Sequence, residues 1–246
     1  MARCLVVADI HSNLAAFDAV LQDARCHGGF DELWVLGDIV GYGPDPAGCI
    51  GRVREHAHVC VAGNHDLGVV GSIEVSAFNS DAARACLWTR TVLDSGDIGF
   101  LEDLPLTMVR SGFLLVHGSP RAPVWEYVFS ALQVKEVMRG VRDARHVLVG
   151  HTHSPSLFVV SEDGNAGSYR VEDGMVVALD AARLLINPGA VGQPRDGDPR
   201  AAYAVYDDAT GSVSFHRVEY DVDAVDDAMR SHGLPAWLGS RLHVGH

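Results

Sequence analysis

HVLVGHTHSP, residues 146–155, carries an apolar run straight into two histidines separated by one residue. An apolar run of this kind closed by glycine reads as a strand buried on both faces. A buried strand alone gives no reason for His151 and His153 at its end. The same pattern recurs along the chain: CLVVADIH (4–11), LWVLGD (33–38), HVCVAGNHD (58–66) and FLLVHG (113–118) each end in a small residue or a polar cluster. Helical patterns lie between the first three. In NLAAFDAVLQDARCHG (13–28), Leu14, Phe17, Val20, Leu21 and Ala24 share one face, and Gly28–Gly29 end the helix. Strand–helix–strand alternation predicts an α/β sheet, and open α/β sheets place ligand sites at the carboxyl ends of their strands. The five polar clusters are therefore expected to converge on one crevice.

Residues 78–103 read as helices closed by Pro105. Beyond 154 come short strands with Gly/Asp turns (SLFVVSEDG, DGMVVALD, ARLLINPG, AAYAVYD, GSVSFHRVEY), which predict a second, mostly antiparallel sheet packed on the first. VDAVDDAMRSHGLPAWLGSRL predicts two short helices parted at Gly233–Pro235. No linker composition interrupts the chain. One domain over 1–246 is expected, with a helical extension over 222–246.

Composition narrows the function classes. With 48% apolar and 21% charged residues the chain is globular, not disordered. No run approaches the length of a membrane span, and the N-terminus enters a strand pattern without a signal-peptide pattern. The five cysteines are scattered and form no CxxC, which predicts reduced thiols and a cytoplasmic protein. A net charge of −13 with no Lys/Arg-rich run disfavours duplex nucleic acid. Something other than bulk positive charge must then hold any phosphate-bearing ligand.

Taken singly, the clusters have ordinary readings: Gly37–Asp38 as a helix cap, Asn64–His65–Asp66 as an Asx-turn, His117 as a core histidine. Ser12 and Asn13 read as N-cap residues. Jointly, Asp9, His11, Asp38, Asn64, His117, His151 and His153 supply the carboxylate, amide oxygen and imidazole that metal sites use. Imidazole nitrogen favours Mn²⁺, the ion expected first, or Fe²⁺, Zn²⁺ or Ni²⁺, over Mg²⁺.

The order ADIH, GDIVGYG, GNHD, HG, GHTH resembles the calcineurin-like metallophosphoesterase superfamily, densely over residues 5–153. GDIVGYGPDP, HGSPRAPVWEY and INPGAVGQPRDGDPRAAYAVYD resemble a bacterial branch of single-domain phosphodiesterases and diadenosine tetraphosphate hydrolases. The resemblance implies a four-layer α-β-β-α sandwich of two packed mixed β-sheets flanked by helices, with the metal site at strand C-terminal ends. It implies one ion held by Asp9, His11, Asp38 and His153. Asp38 would bridge to a second ion completed by Asn64, His117 and His151. Two such ions roughly 3.5–4 Å apart share a hydroxide that attacks phosphorus in line, and their charge attracts phosphate to an acidic protein.

His65 is the expected general acid, with Asp66 orienting its ring. Tyr42 is a candidate to stack on a base. Arg121 and Arg195 are candidates to grip phosphate, although Arg195 has Asp196 and Asp198 as competing partners. The expected substrate is a small phosphate ester or nucleotide, with no duplex nucleic acid or membrane partner and homo-oligomerisation left open. The competing functions are a serine/threonine phosphoprotein phosphatase and a non-catalytic interaction scaffold of the same fold.

Overall fold

Alternation within the first strand decides how the layers stack. In β1 (Arg3–Val7), Leu5 and Val7 turn toward one apolar core and Cys4 and Val6 toward another. A strand whose two faces are both covered lies inside a layered structure. The computed structural model describes residues 2–180 and 182–246, so Met1 of the expected domain lies outside the described residues.

After β1 come α1 (Leu14–Cys26), β2 (Glu32–Val35), α2 (Pro46–Arg54), β3 (His58–Cys60), α3 (Asn64–Val70), α4 (Ser80–Val92) and α5 (Ser95–Glu102). The middle of the chain forms β4 (Thr107–Arg110), β5 (Phe113–Val116), α6 (Ala131–Gly140), β6 (His146–Leu148), β7 (Ser156–Val160) and β8 (Ala166–Tyr169). It ends with β9 (Val176–Ala178), β10 (Arg183–Asn187), β11 (Ala201–Asp207), β12 (Ser212–Val218), α7 (Val222–Ser231) and α8 (Ala236–Ser240).

Two mixed six-stranded sheets result, ordered β3-β2-β1-β11-β12-β9 and β4-β5-β6-β10-β7-β8. β1, β2 and β3 run parallel in the first, and β5, β6 and β10 in the second. Leu5, Val7, Leu33 and Val35 pack on Phe17, Val20 and Leu21 of α1. Val6, Trp34, Phe113, Leu148 and Ile186 fill the space between the sheets, and Val147, Phe158 and Leu185 meet Val134 and Val137 of α6. Those three cores make the α-β-β-α sandwich. Trp34, Phe113 and Tyr206 pack with ring centres 5.0–5.8 Å apart between the sheets. Such pairs add about 0.5–1.5 kcal/mol each beyond the area they bury.

The separate antiparallel sheet expected after residue 154 does not form. β7, β8 and β10 extend the sheet of β5 and β6, while β11, β12 and β9 complete the sheet of β1. β11 shows why: Ala201 through Tyr206 are all buried. A strand apolar on both faces needs a central position, which β11 finds beside β1. α7, α8 and the turn that follows α8 pack through Val225, Met229, Leu238 and Leu242 against Ala82 and Ala85 of α4 and the ring of Tyr42. The C-terminal helices thereby buttress one side of the crevice.

Candidate metal centre

The seven expected ligand positions follow the carboxyl ends of β1, β2, β3, β5 and β6, so both sheets contribute. The loops that carry them are tightly bent. Of the eight non-glycine residues with positive φ among the described residues, all but Ser111 lie here: Asp9, His11, Ser12, Asp38, Tyr42, His151 and His153. A left-handed backbone at such residues costs of order 1–3 kcal/mol each and persists only where the surroundings enforce it. Gly63 allows a close approach, because a Cβ there would stand 2.0 Å from Asp38 Oδ1.

Asp9, His11, Asp38 and His153 bring one ligand atom each within 4.8 Å of one another, as do Asp38, His117 and His151. Asp38 belongs to both groups. Its Oδ2 lies 3.5 Å from His11 Nε2 and 3.4 Å from His117 Nε2. Asn64 Oδ1 lies 3.1 Å from His117 Nε2, which adds Asn64 to the second group.

The hydrogen bonds of the rings fix which atoms face inward. His11 Nδ1 donates to the carbonyl of Val40, His153 Nδ1 to that of Gln193 and His117 Nδ1 to that of Leu36. A carbonyl only accepts, so each Nδ1 carries a proton. Burial holds His11 and His153 well below the usual histidine range, hence neutral, with bare lone pairs on Nε2. Those two nitrogens nevertheless stand 3.2 Å apart, with Asp9 Oδ1 3.4 Å from one of them. Acceptors crowded face to face repel unless a cation lies among them. Donation from the distal ring nitrogen to a carbonyl is also how metal-bound histidines are held.

The second group attracts positive charge too. Burial opposes it, yet the Asp38 carboxylate raises His117 to about 9. Burial alone would raise Asp38, but the neighbouring His117 and His65 outweigh it and hold the carboxyl below its usual range. Burial raises Asp9 to about 7 against the opposing pull of His117. The donor set fits divalent transition metal ions.

The surroundings correct one expectation. Asp66 does not orient the ring of His65; its Oδ2 accepts the backbone N–H groups of Asp38 and Gly63, and its Oδ1 that of Val40. It stitches the Asp38 loop to the Asn64 loop. The atom meeting His65 Nδ1 is Cys86 Sγ of α4, at 3.4 Å. Asn13 caps α1 by accepting from Ala16 N. Asn187 donates to Gly150 O and Thr152 Oγ1 and so fixes the loop carrying both terminal histidines.

A cleft of about 290 Å³ opens over this cluster, lined among others by Tyr42, His65, His151 and Arg195. Tyr42 packs edge-on to His11 at 4.6 Å. The Arg195 guanidinium sits 5.8 Å from the Tyr42 ring centre and donates to Gln193 Oε1. Its acidic neighbours are engaged elsewhere, Asp196 with Arg217 and Asp198 with Arg200. Arg121 is a second correction: it does not line the cleft but is held at the surface by Glu126 and Glu136. Sequence reasoning passed over Phe78, Trp125 and Tyr127 in the cleft wall. The alternation VWEYVF was the available signal for the last two.

Fold and site together define a metal-dependent phosphoester hydrolase. The chain belongs to the calcineurin-like phosphoesterase superfamily, whose domain model matches residues 2–211. The crystal structure of a metallophosphoesterase from Sphaerobacter thermophilus superposes with a TM-score of 0.89 at 42% identity, covering 100% of both chains. An uncharacterized protein of Methanocaldococcus jannaschii is 38% identical over 98% of this chain and 97% of its own length. A symmetrical bis(5′-nucleosyl)-tetraphosphatase of Glaesserella parasuis is 28% identical over 61% of this chain, a match spanning 57% of that protein. Among the described residues, no helix is long and apolar enough to cross a membrane.

Proposed function

We propose that the chain is a dinuclear metal-dependent phosphodiesterase acting on small phosphodiesters or nucleotides, dinucleoside polyphosphates included. The observation that carries this reading is the convergence of carboxylate oxygens and bare imidazole nitrogens around the shared carboxylate of Asp38. Asp9, His11, Asp38 and His153 would hold one ion; Asp38, Asn64, His117 and His151 the other. Mn²⁺ is our first choice for both. Two divalent ions supply Lewis-acid charge to the phosphoryl oxygens and acidify an attacking water.

The chain's own residues do the rest. Burial lowers His65 to about 4, so the ring is neutral, and with Nδ1 against Cys86 its Nε2–H is left to hydrogen-bond the leaving or phosphoryl oxygen and stabilise the charge that develops there. Arg195 aims a forked donor at the phosphate from beside Tyr42. Asp66 acts through the backbone of the Asp38 loop rather than on substrate. The partial match to nucleosyl-tetraphosphatases supports a nucleotide substrate, and the free cysteines support a reducing, cytoplasmic setting.

Hydrolysis of bis-p-nitrophenyl phosphate by the Mn²⁺-loaded chain is the test, with turnover expected. No turnover above background across Mn²⁺, Zn²⁺, Fe²⁺ and Ni²⁺ would overturn the reading.

A further inference from the structure

The loop before α6 alternates in character. Val124 and Val128 are buried, while Trp125, Tyr127 and Phe129 stand in solvent, Phe129 at 65% exposure. Three outward aromatic rings within five residues form the kind of exposed apolar patch that marks a binding surface. They continue directly from the candidate metal centre. Tyr127 stacks on His151 with ring centres 3.8 Å apart and planes within 12°, and Phe129 lies parallel to Tyr127 within 10°. On the opposite side, Phe78 packs on His65 at 5.1 Å and Trp125 on Phe78 at 5.6 Å. The two histidines flanking the cleft are thus each extended outward by a pair of rings.

The loop is held in place. Glu126 binds Ser119 and Arg121, and Gln133 donates to Tyr127 O while accepting from Phe129 N. The rings are consequently set before a ligand arrives, which reduces the entropy lost on binding. Their occupant must be joined to the phosphate that the metal centre takes and must present a flat π-face. The cleft sits at the small end of ligand pockets. A dinucleotide held there by its phosphates would extend a base onto the rim. Stacking needs no basic surface, which suits a chain of net charge −13.

We propose that Trp125 and Phe129 form a stacking platform for a nucleobase of the substrate, making nucleoside-bearing phosphodiesters and dinucleoside polyphosphates the preferred class. This rests on the phosphodiesterase reading for its catalytic half. Two exposed-surface variants, Trp125→Ala and Phe129→Ala, test it in the Mn²⁺-loaded protein. With diadenosine tetraphosphate, KM should rise about tenfold in each variant, the effect of losing one base stack. With a base-free glycerophosphodiester, Phe129→Ala, which lies outside the cleft lining, should keep the KM and kcat of the wild type. Equal shifts on both substrates, or none on either, would overturn the platform.

A second measurement is independent of turnover: calorimetric titration with adenosine 5′-monophosphate and with ribose 5-phosphate, which share phosphate and sugar. The wild type should prefer the adenine compound about tenfold, and Phe129→Ala should erase that preference. If no diester is hydrolysed but the preference appears and vanishes as stated, the platform stands and the catalytic reading falls. If both ligands bind alike in the wild type, the platform is refuted whatever the turnover.

Discussion

The two ends of β6 carry buried histidines in opposite surroundings. His146 at the amino end and His151 and His153 beyond the carboxyl end are all 5% exposed or less, so burial does not distinguish them. Their nearest atoms do. His146 packs on Phe113 and its Nδ1 accepts the backbone N–H of Leu184, an ordinary donor–acceptor pair. His153 Nε2 faces His11 Nε2 at 3.2 Å, with Asp9 Oδ1 3.4 Å away. A satisfied imidazole finds a donor for its lone pair; a ligand imidazole is pressed against other acceptors. The difference separates structural from metal-binding histidines without reference to position in the chain.

Replacing the shared carboxylate should produce the largest effect. Asp38→Asn removes the one charge common to both groups and should cut turnover by about a thousandfold or more. Bound metal, measured by elemental analysis, should fall with it. His65→Ala should lower turnover by about 10²–10⁴-fold while metal content stays at the wild-type level. Equal metal loss in the two variants would place His65 with the ligands and blur the distinction drawn at β6.

What could be read from the sequence divides along similar lines. The five strand-to-cluster transitions are local patterns, and each candidate ligand sits within a few positions of its strand, so all seven candidates could be named before the fold was known. Which sheet β11 joins depends on a partner some two hundred residues away, since Ala204 pairs with Val6. No local pattern reports that. Asp66 and Arg121 were misread for a related reason: carboxylates and guanidinium groups serve backbone, ion pair or substrate equally well, and the choice is made by neighbours distant in sequence. Asn187 in INPG is a local turn residue, since Gly189 N donates to its Oδ1. Only the fold places its amide on the histidine loop.

That amide offers a finer test. Asn187→Ala leaves every ligand intact but frees the loop of His151 and His153, and should weaken metal affinity by about 10–100-fold. Competition with a metal-sensitive chelating dye would measure it; unchanged affinity would show that the loop is rigid without Asn187.

The smallest effect concerns the other end of β6. Burial holds His146 at about 4 in the folded chain, against about 6.5 for a free histidine. Between those values the unfolded chain binds a proton that the folded chain does not. Its contribution to stability is therefore complete above pH 6.5 and lost as the pH falls toward 4. After screening by nearby solvent this amounts to about 1–2 kcal/mol. In the metal-loaded protein, urea midpoints at pH 7 and pH 5 should differ less for His146→Leu than for the wild type. An identical difference would mean that His146 titrates freely.

Stoichiometry tests the dinuclear cage most directly. The chain would be stripped by chelation, reloaded with Mn²⁺ and freed of excess metal, then analysed for metal per chain. Two equivalents are expected for the wild type and a loss of both in Asp38→Asn. A wild type that saturates at one equivalent, or an Asp38→Asn variant that retains two, would contradict the account.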